Sequence, residues 1–283
     1  MIRIAIQAKG RLNEQSIDLL SEAGILIEES KRKLLAKANN FPVEVLYLRD
    51  DDIPQAVAMG VADVGIVGLN EVEEKNFPVE IIHAFGFGVC RLSLAIPKGE
   101  SYTSIQWFNG KRVATSYPRI LERHLQQQRV TTEIHTIAGS VEIAPSVGMA
   151  DAIFDIVSSG GTLVKNGLVE VEKVMDSEAV LITGKSVPAE KQAIISQMLF
   201  RFDAVERSRG MKYVLMNLPC EMVEKAATIL PGVKSPTILP LQQKGWCSMH
   251  VAINESELWN KIESLKAIGA EDILVLSLEK MIP

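Results

Sequence analysis

The stretch that most restricts what this chain can fold into runs from Glu142 to Leu163. Its middle, Ala152 to Val157, is apolar except for Asp155, the pattern of a buried strand carrying one acid near its carboxyl end. Ser158-Ser159-Gly160-Gly161-Thr162 follows at once. Two glycines let the backbone turn tightly and aim several N–H groups into one concavity, and three hydroxyls add further donors. Such a turn is a cradle for an anion, most naturally a phosphate; an ordinary β-turn is the plainer alternative. The acid beside it can accept hydrogen bonds from ribose hydroxyls or help hold a divalent cation.

The rest of the chain supplies a body large enough for such a site. At 283 residues, 47% of them hydrophobic, it has the core for two or three domains. A net charge of -5 argues against non-specific nucleic-acid binding, which relies on basic surface. Cys90, Cys220 and Cys247 are odd in number and widely spaced, so neither a disulfide scaffold nor a zinc ribbon is expected. No apolar run reaches the ~18 residues of a membrane span, and the amino terminus reads as a strand, so a cytoplasmic protein is expected.

Taken in order, Ile2 to Gln7 reads as a strand, Ala8-Lys9-Gly10-Arg11 as a turn with two cations, and Leu12 to Glu22 as a helix. Val43 to Leu48 is a second strand. After it comes Arg49-Asp50-Asp51-Asp52-Ile53-Pro54, in which Asp51 or Asp52 is expected to cap a helix with Pro54 in its first turn. Gly60-Val61-Ala62-Asp63 and Gly148-Met149-Ala150-Asp151 share Gly-x-Ala-Asp at the entrance to an apolar strand. This internal repeat predicts two similar α/β lobes with ligand at the carboxyl ends of their strands. The first copy ends in Gly68-Leu69-Asn70-Glu71 and the second in the cradle, and this asymmetry suggests that the two lobes handle different parts of the ligand. Phe85 to Pro97 is expected to be a long strand, entered through a glycine hinge, that crosses between them. Cys90 is read as a packed side chain, and His124 and His135 are given no chemistry. From about residue 210 the strands and helices follow a βαββαβ order, a small ferredoxin-like unit.

Glu142, Gly148, Ala150, Ile153, Asp155, Ile156, Ser159, Gly160, Thr162 and Leu163 together resemble the signature of the ATP phosphoribosyltransferases. Lys9-Gly10-Arg11-Leu12, Arg49 before its acidic run, and Arg112-Val113-Ala114-Thr115-Ser116-Tyr117-Pro118 resemble other strings of that family. The resemblance implies a bilobal body of the periplasmic-binding-protein type II kind, plus a carboxyl-terminal ACT-like domain. Lobe I would span residues 1–90 with a return segment at about 182–209, lobe II residues 91–181, and the regulatory domain residues 210–283.

The implied reaction is attack of adenine N1 of ATP on C1 of phosphoribosyl pyrophosphate (PRPP), with Mg2+ at the pyrophosphate. Asp155, Arg49 and Arg32 would be catalytic. PRPP would be held by Asp155, Ser158, Ser159, Gly160, Gly161 and Thr162. ATP would meet Lys9, Gly10, Arg11, Asp63, Thr115 and Ser116, and Glu142 would orient or cap near the loop. Histidine would inhibit through Asn217, Thr237, Ile238 and Leu239, AMP is an implied second inhibitor, and dimers would assemble into hexamers. Two rival readings share parts of this architecture. Prephenate dehydratases would show a Thr-Arg-Phe string, whereas Arg201-Phe202 here follows Phe200. An inactive solute-sensing module would carry an export signal or a DNA-binding segment.

Overall fold

The structure is a computed structural model that describes residues 1–28 and 34–282. Its chain divides into two compact units, Met1–Ser21 with Ile25–Ile195, and Glu22–Gly24 with Ser196–Pro283.

The first unit opens with β1 (Ile2–Gln7), α1 (Arg11–Glu22), β2 (Leu35–Lys37), β3 (Val43–Leu48) and α2 (Ile53–Ala58). It continues through β4 (Val64–Gly68), α3 (Leu69–Lys75) and β5 (Val79–Ala84). Ile2, Ile4, Ala5 and Ile6 are all essentially buried, as expected of a strand covered on both faces. A second run comprises β6 (Cys90–Pro97), β7 (Arg112–Thr115), α4 (Pro118–Gln127), β8 (Glu133–Thr136), β9 (Ala152–Val157), α5 (Gly161–Lys165) and β10 (Leu168–Ser177). Then β11 (Ala179–Gly184) returns to the first sheet. The sheet orders are β2-β3-β1-β4-β11-β5 and β10-β6-β9-β7-β8. In each, parallel strands (β3, β1 and β4; β9, β7 and β8) are flanked by antiparallel ones. The two α/β lobes implied by the repeat are therefore present.

The crossing strand expected from Phe85 to Pro97 has its glycine hinge, and the strand proper is the shorter part that follows it. Gly86 and Gly88 adopt φ of 68° and 64°, a left-handed conformation natural to glycine, and β6 begins only at Cys90. This crossing runs beside the other one, with Phe85 N–H donating to Ala179 O at 3.0 Å and Ala179 N–H to Phe87 O at 2.9 Å.

The Gly-x-Ala-Asp repeat has a structural counterpart. Asp63 Oδ2 accepts from Arg3 N–H at 2.8 Å, and Asp151 Oδ2 from Arg112 N–H at 2.9 Å. Arg3 Nη1 donates to Val61 O and Arg112 Nη1 to Gly148 O, at 2.9 and 3.0 Å. Each lobe thus clasps the entrance to its strand with an arginine from the neighbouring strand. Arg112 holds the Asp151 carboxyl down at about 2.

The second unit takes in the later part of α6 (Ala189–Ser208) and then β12 (Met211–Pro219), α7 (Val223–Ile229), β13 (Thr237–Pro240), β14 (Trp246–Asn254), α8 (Glu255–Ala267) and β15 (Glu271–Ser277). Its sheet order, β13-β14-β12-β15, is that of the ferredoxin-like unit. Val214, Met216, Leu218, Met249 and Val251 form the core with Leu258 and Leu265 of α8. One expectation fails here: Cys220 and Cys247 form a disulfide, their Cα atoms 5.1 Å apart. The 27-residue separation conceals an antiparallel pairing of β12 and β14 that ends at Pro219 and Trp246, next to both cysteines.

Candidate active site

A cleft of about 290 Å³ opens between the two sheets of the first unit. One wall carries Gln7, Gly10 and Arg11 at the carboxyl end of β1, with Asp50 beyond β3 and Asn70 and Glu71 beyond β4. The other carries Cys90 of β6 with Ile156 and Ser158 of the β9 end. Parallel strands expose their open ends on the same side, so the residues that follow them converge.

The cradle begins at that second wall. Gly160 takes φ of 78° ahead of α5, which turns the Gly161, Thr162 and Leu163 N–H groups into a first helical turn without intrahelical acceptors. Ser158, Ser159, Gly161 and Thr162 are exposed. Arg91 supports the loop from behind, donating from Nη1 to Ser158 O at 3.0 Å while its other nitrogens pair with Glu170 at 2.6 and 2.5 Å. The sequence reading missed this role; a cation near the start of the largely apolar β6 was its visible sign. Asp155 lies on the strand before the cradle. Burial raises its carboxyl to about 6 against a bond from Ile156 N–H, and the charge of Glu142 adds to the rise.

A buried polar group closes the floor. Tyr117 Oη donates to Glu71 Oε1 at 2.9 Å, Asn70 Nδ2 donates to the same oxygen at 3.1 Å, and Ser177 Oγ donates to Asn70 Oδ1 at 2.8 Å. These side chains come from both lobes. Burial lifts Glu71 to about 7 despite the Tyr117 bond.

Two family models match the chain: ATP phosphoribosyltransferase over residues 49–204 and the HisG carboxyl-terminal domain over residues 208–280. The ATP phosphoribosyltransferase of Bacteroides fragilis is 57% identical over 282 residues, covering 100% of both chains. The chain belongs to the ATP phosphoribosyltransferase family. It is a long-form member, and hence a pentosyltransferase of the first step of histidine biosynthesis. An ATP phosphoribosyltransferase (HisG:HisZ) complex from Thermotoga maritima superposes with a TM-score of 0.63 at 27% identity, over 71% of this chain and 96% of that one. A substrate-binding protein of an amino acid ABC transporter shares the fold, with a TM-score of 0.50 at 11% identity over 74% and 94%. The full-length family match excludes the dehydratase and the inactive sensor.

Within an ATP phosphoribosyltransferase, the expected site residues fall into three groups. Gly10 and Arg11 line the cleft with Ser158, and Asp155, Ser159 and Gly160 to Thr162 belong to the same strand end. Lys9 is exposed beside Gly10, and Arg49 is three-quarters exposed and paired with Asp51 at 3.1 Å. Arg32 lies outside the described residues.

The other expected residues are engaged in contacts within the protein. Asp63 stands at the amino end of β4, away from the cleft, held by Arg3 and by Lys191 at 2.7 Å. Thr115 is fully buried and its Oγ1 accepts from Tyr117 N–H at 2.8 Å, shaping the turn. Ser116 Oγ donates to Ile137 O at 2.7 Å. Neither Asp51 nor Asp52 caps α2 with its side chain; Asp51 pairs with Arg49 and Lys75 instead.

In the second unit Asn217, Ser248 and Leu239 align across three strands, as do Leu215, His250 and Thr237. Since Met216 and Met249 face the core, alternation puts both rows on the face away from the helices and sends Ile238 to the other face. Ser248 and His250, 3.1 Å apart, were not singled out from sequence, although polar residues at alternate positions of β14 were their signal. Among the described residues, no helix is long and apolar enough to cross a membrane.

Proposed function

We propose that the cleft seats PRPP with its 5-phosphate in the Ser158–Thr162 loop and its ribose against Asp155, while ATP lies along the β1, β3 and β4 ends. The observation that carries this is the order of groups at the end of β9: a half-buried acid, then a left-handed glycine, then a helix start, all beside the cleft. Backbone amides suit a phosphate dianion, and Asp155 as an anion would accept from the ribose hydroxyls. A displacement at C1 passes through an oxocarbenium-like arrangement that needs positioning and electrostatic support more than a protein nucleophile. Arg11 and Lys9 would meet the triphosphate, and Arg49, free to swing from a solvent-facing pair, the departing pyrophosphate; Arg32 is assigned there by the family resemblance alone.

Among the described residues, no group of three carboxylate or imidazole ligands gathers in the cleft. That fits a cation carried in mainly by substrate phosphates, with Glu142 as the hard oxygen donor next to the loop. Mg2+ bound there would neutralise the pyrophosphate charge.

Residues 1–90 with 182–209 would act as the base-binding lobe, residues 91–181 as the phosphoribosyl lobe and residues 210–283 as the regulatory domain. Histidine would bind on the open face of the last sheet at Asn217, Thr237 and Leu239, AMP would compete in the cleft, and dimers would assemble into hexamers in the cytoplasm. The test is the ultraviolet absorbance change when protein, ATP, PRPP and magnesium are mixed, with and without histidine. A folded protein that gives no signal refutes the reading.

A further inference from the structure

The cleft wall formed by β4, α1 and α3 is rich in acceptors. Glu71 is 6% exposed yet lines the cleft. Both of its hydrogen bonds fall on Oε1, and among the described residues none is made to Oε2. Gln15, across the same wall, has a buried Oε1 with no partner. Gln15 Oε1 is thus a buried acceptor left unpaired, which is costly, and a ligand that brings N–H donors to this wall would satisfy it together with Glu71 Oε2. Asn70 cannot supply them, because its amide is spent on Glu71 and Tyr117.

We infer that Glu71 recognises the exocyclic amine of the purine and takes a proton from it during transfer. This deepens the reading of the cleft given above and rests on it. The N1 lone pair forms the bond to C1 of PRPP while the C1–O bond breaks and its electron pair leaves with pyrophosphate. The purine ring is then cationic, and its exocyclic N–H becomes acidic. That proton passes to Glu71, leaving a neutral imine on the product and a carboxylic acid on the protein; the acid returns its proton to water when product leaves. A purine carrying a carbonyl in place of the amine would set oxygen against oxygen at this wall and be rejected.

The surroundings suit the task. Asp50 and Asp51, on the turn before α2, push the carboxyl upward, as burial does. The Tyr117 hydroxyl and Lys75 on the same helix pull it down, while Asp155 acts on the Tyr117 hydroxyl. The balance near 7 places the group where a general base works at neutral pH.

The experiment uses the full-length protein and Glu71→Gln, which preserves side-chain volume. Calorimetric binding of ATP and ITP and the pH profile of kcat are measured, with thermal melts to confirm folding. The expected result is a 10- to 100-fold fall in the ATP:ITP affinity ratio by the scale of one charged hydrogen bond, loss of the kcat limb near pH 7, and an unchanged KM for PRPP. Tyr117→Phe is the second variant: losing its bond should move the limb to higher pH. Should wild type turn over while Glu71→Gln keeps both the ATP:ITP ratio and the limb, this inference falls alone. A limb unmoved in Tyr117→Phe would also overturn it. Wild type that fails to transfer at all sinks the reading of the cleft instead.

Discussion

Asp155 gives the sharpest expectation, because burial makes it both useful and costly. Its carboxyl sits at about 6 against an ordinary 3.8, chiefly through desolvation. The folded state therefore holds the proton more tightly than the unfolded chain does. The penalty for ionising Asp155 is absent below pH 3.8, grows as pH rises, and is complete above about 6. At about 1.36 kcal/mol per pH unit, that gap corresponds to roughly 3 kcal/mol. Asp155→Asn is then expected to raise the midpoint of thermal unfolding at pH 7.5 by several degrees, and to have little effect at pH 3.5. Activity should move the other way. Only the anion accepts both ribose hydroxyls well, so wild-type kcat/KM for PRPP should fall about tenfold per pH unit below 6. The variant should lose that limb and drop about 10- to 100-fold at neutral pH. Initial rates from pH 5 to 8 with PRPP varied, alongside calorimetric melts, provide the check. A variant that melts lower than wild type at pH 7.5, or that keeps both the limb and the PRPP kinetics, refutes the reasoning.

Other expectations follow from particular contacts. Asp63→Ala removes the anchor of Arg3 and Lys191 and should destabilise the protein by about 1–3 kcal/mol with KM for ATP unchanged; a selective rise in that KM would restore the substrate role. Gly65→Ala places a methyl 2.6 Å from Ile53 Cγ2 and 3.0 Å from Val57 Cγ2, so about 1–3 kcal/mol should be lost to overpacking of α2, and a neutral denaturation curve would show that the helix shifts freely. Asn217→Ala should raise the histidine concentration for half-inhibition about tenfold by loss of one hydrogen bond, leaving uninhibited kcat alone; unchanged inhibition would move the effector site elsewhere.

Strand and helix order came through in the sequence because each element carries its own period. Ile2 to Gln7, Val43 to Leu48 and Ala152 to Val157 are apolar runs that need burial on both faces, whatever their neighbours. Gly160 marks its left-handed turn by lacking a side chain. The Gly-x-Ala-Asp repeat announced two lobes. What it did not disclose is that its aspartates clasp arginines, since Arg3 lies 60 residues from Asp63 and only sheet pairing joins them.

The same holds for Cys220 with Cys247, for Arg91 beneath Ser158, and for Glu71 with Tyr117, 46 residues apart. A polar side chain carries no local signal naming its partner. Its hydrogen bond and its proton affinity depend on which surfaces fold against it and how much water they remove. The chain's own periodicity thus determined the elements and the glycine turn at Ser158–Thr162, while tertiary packing decided which charged groups line the cleft and which hold the lobes in shape.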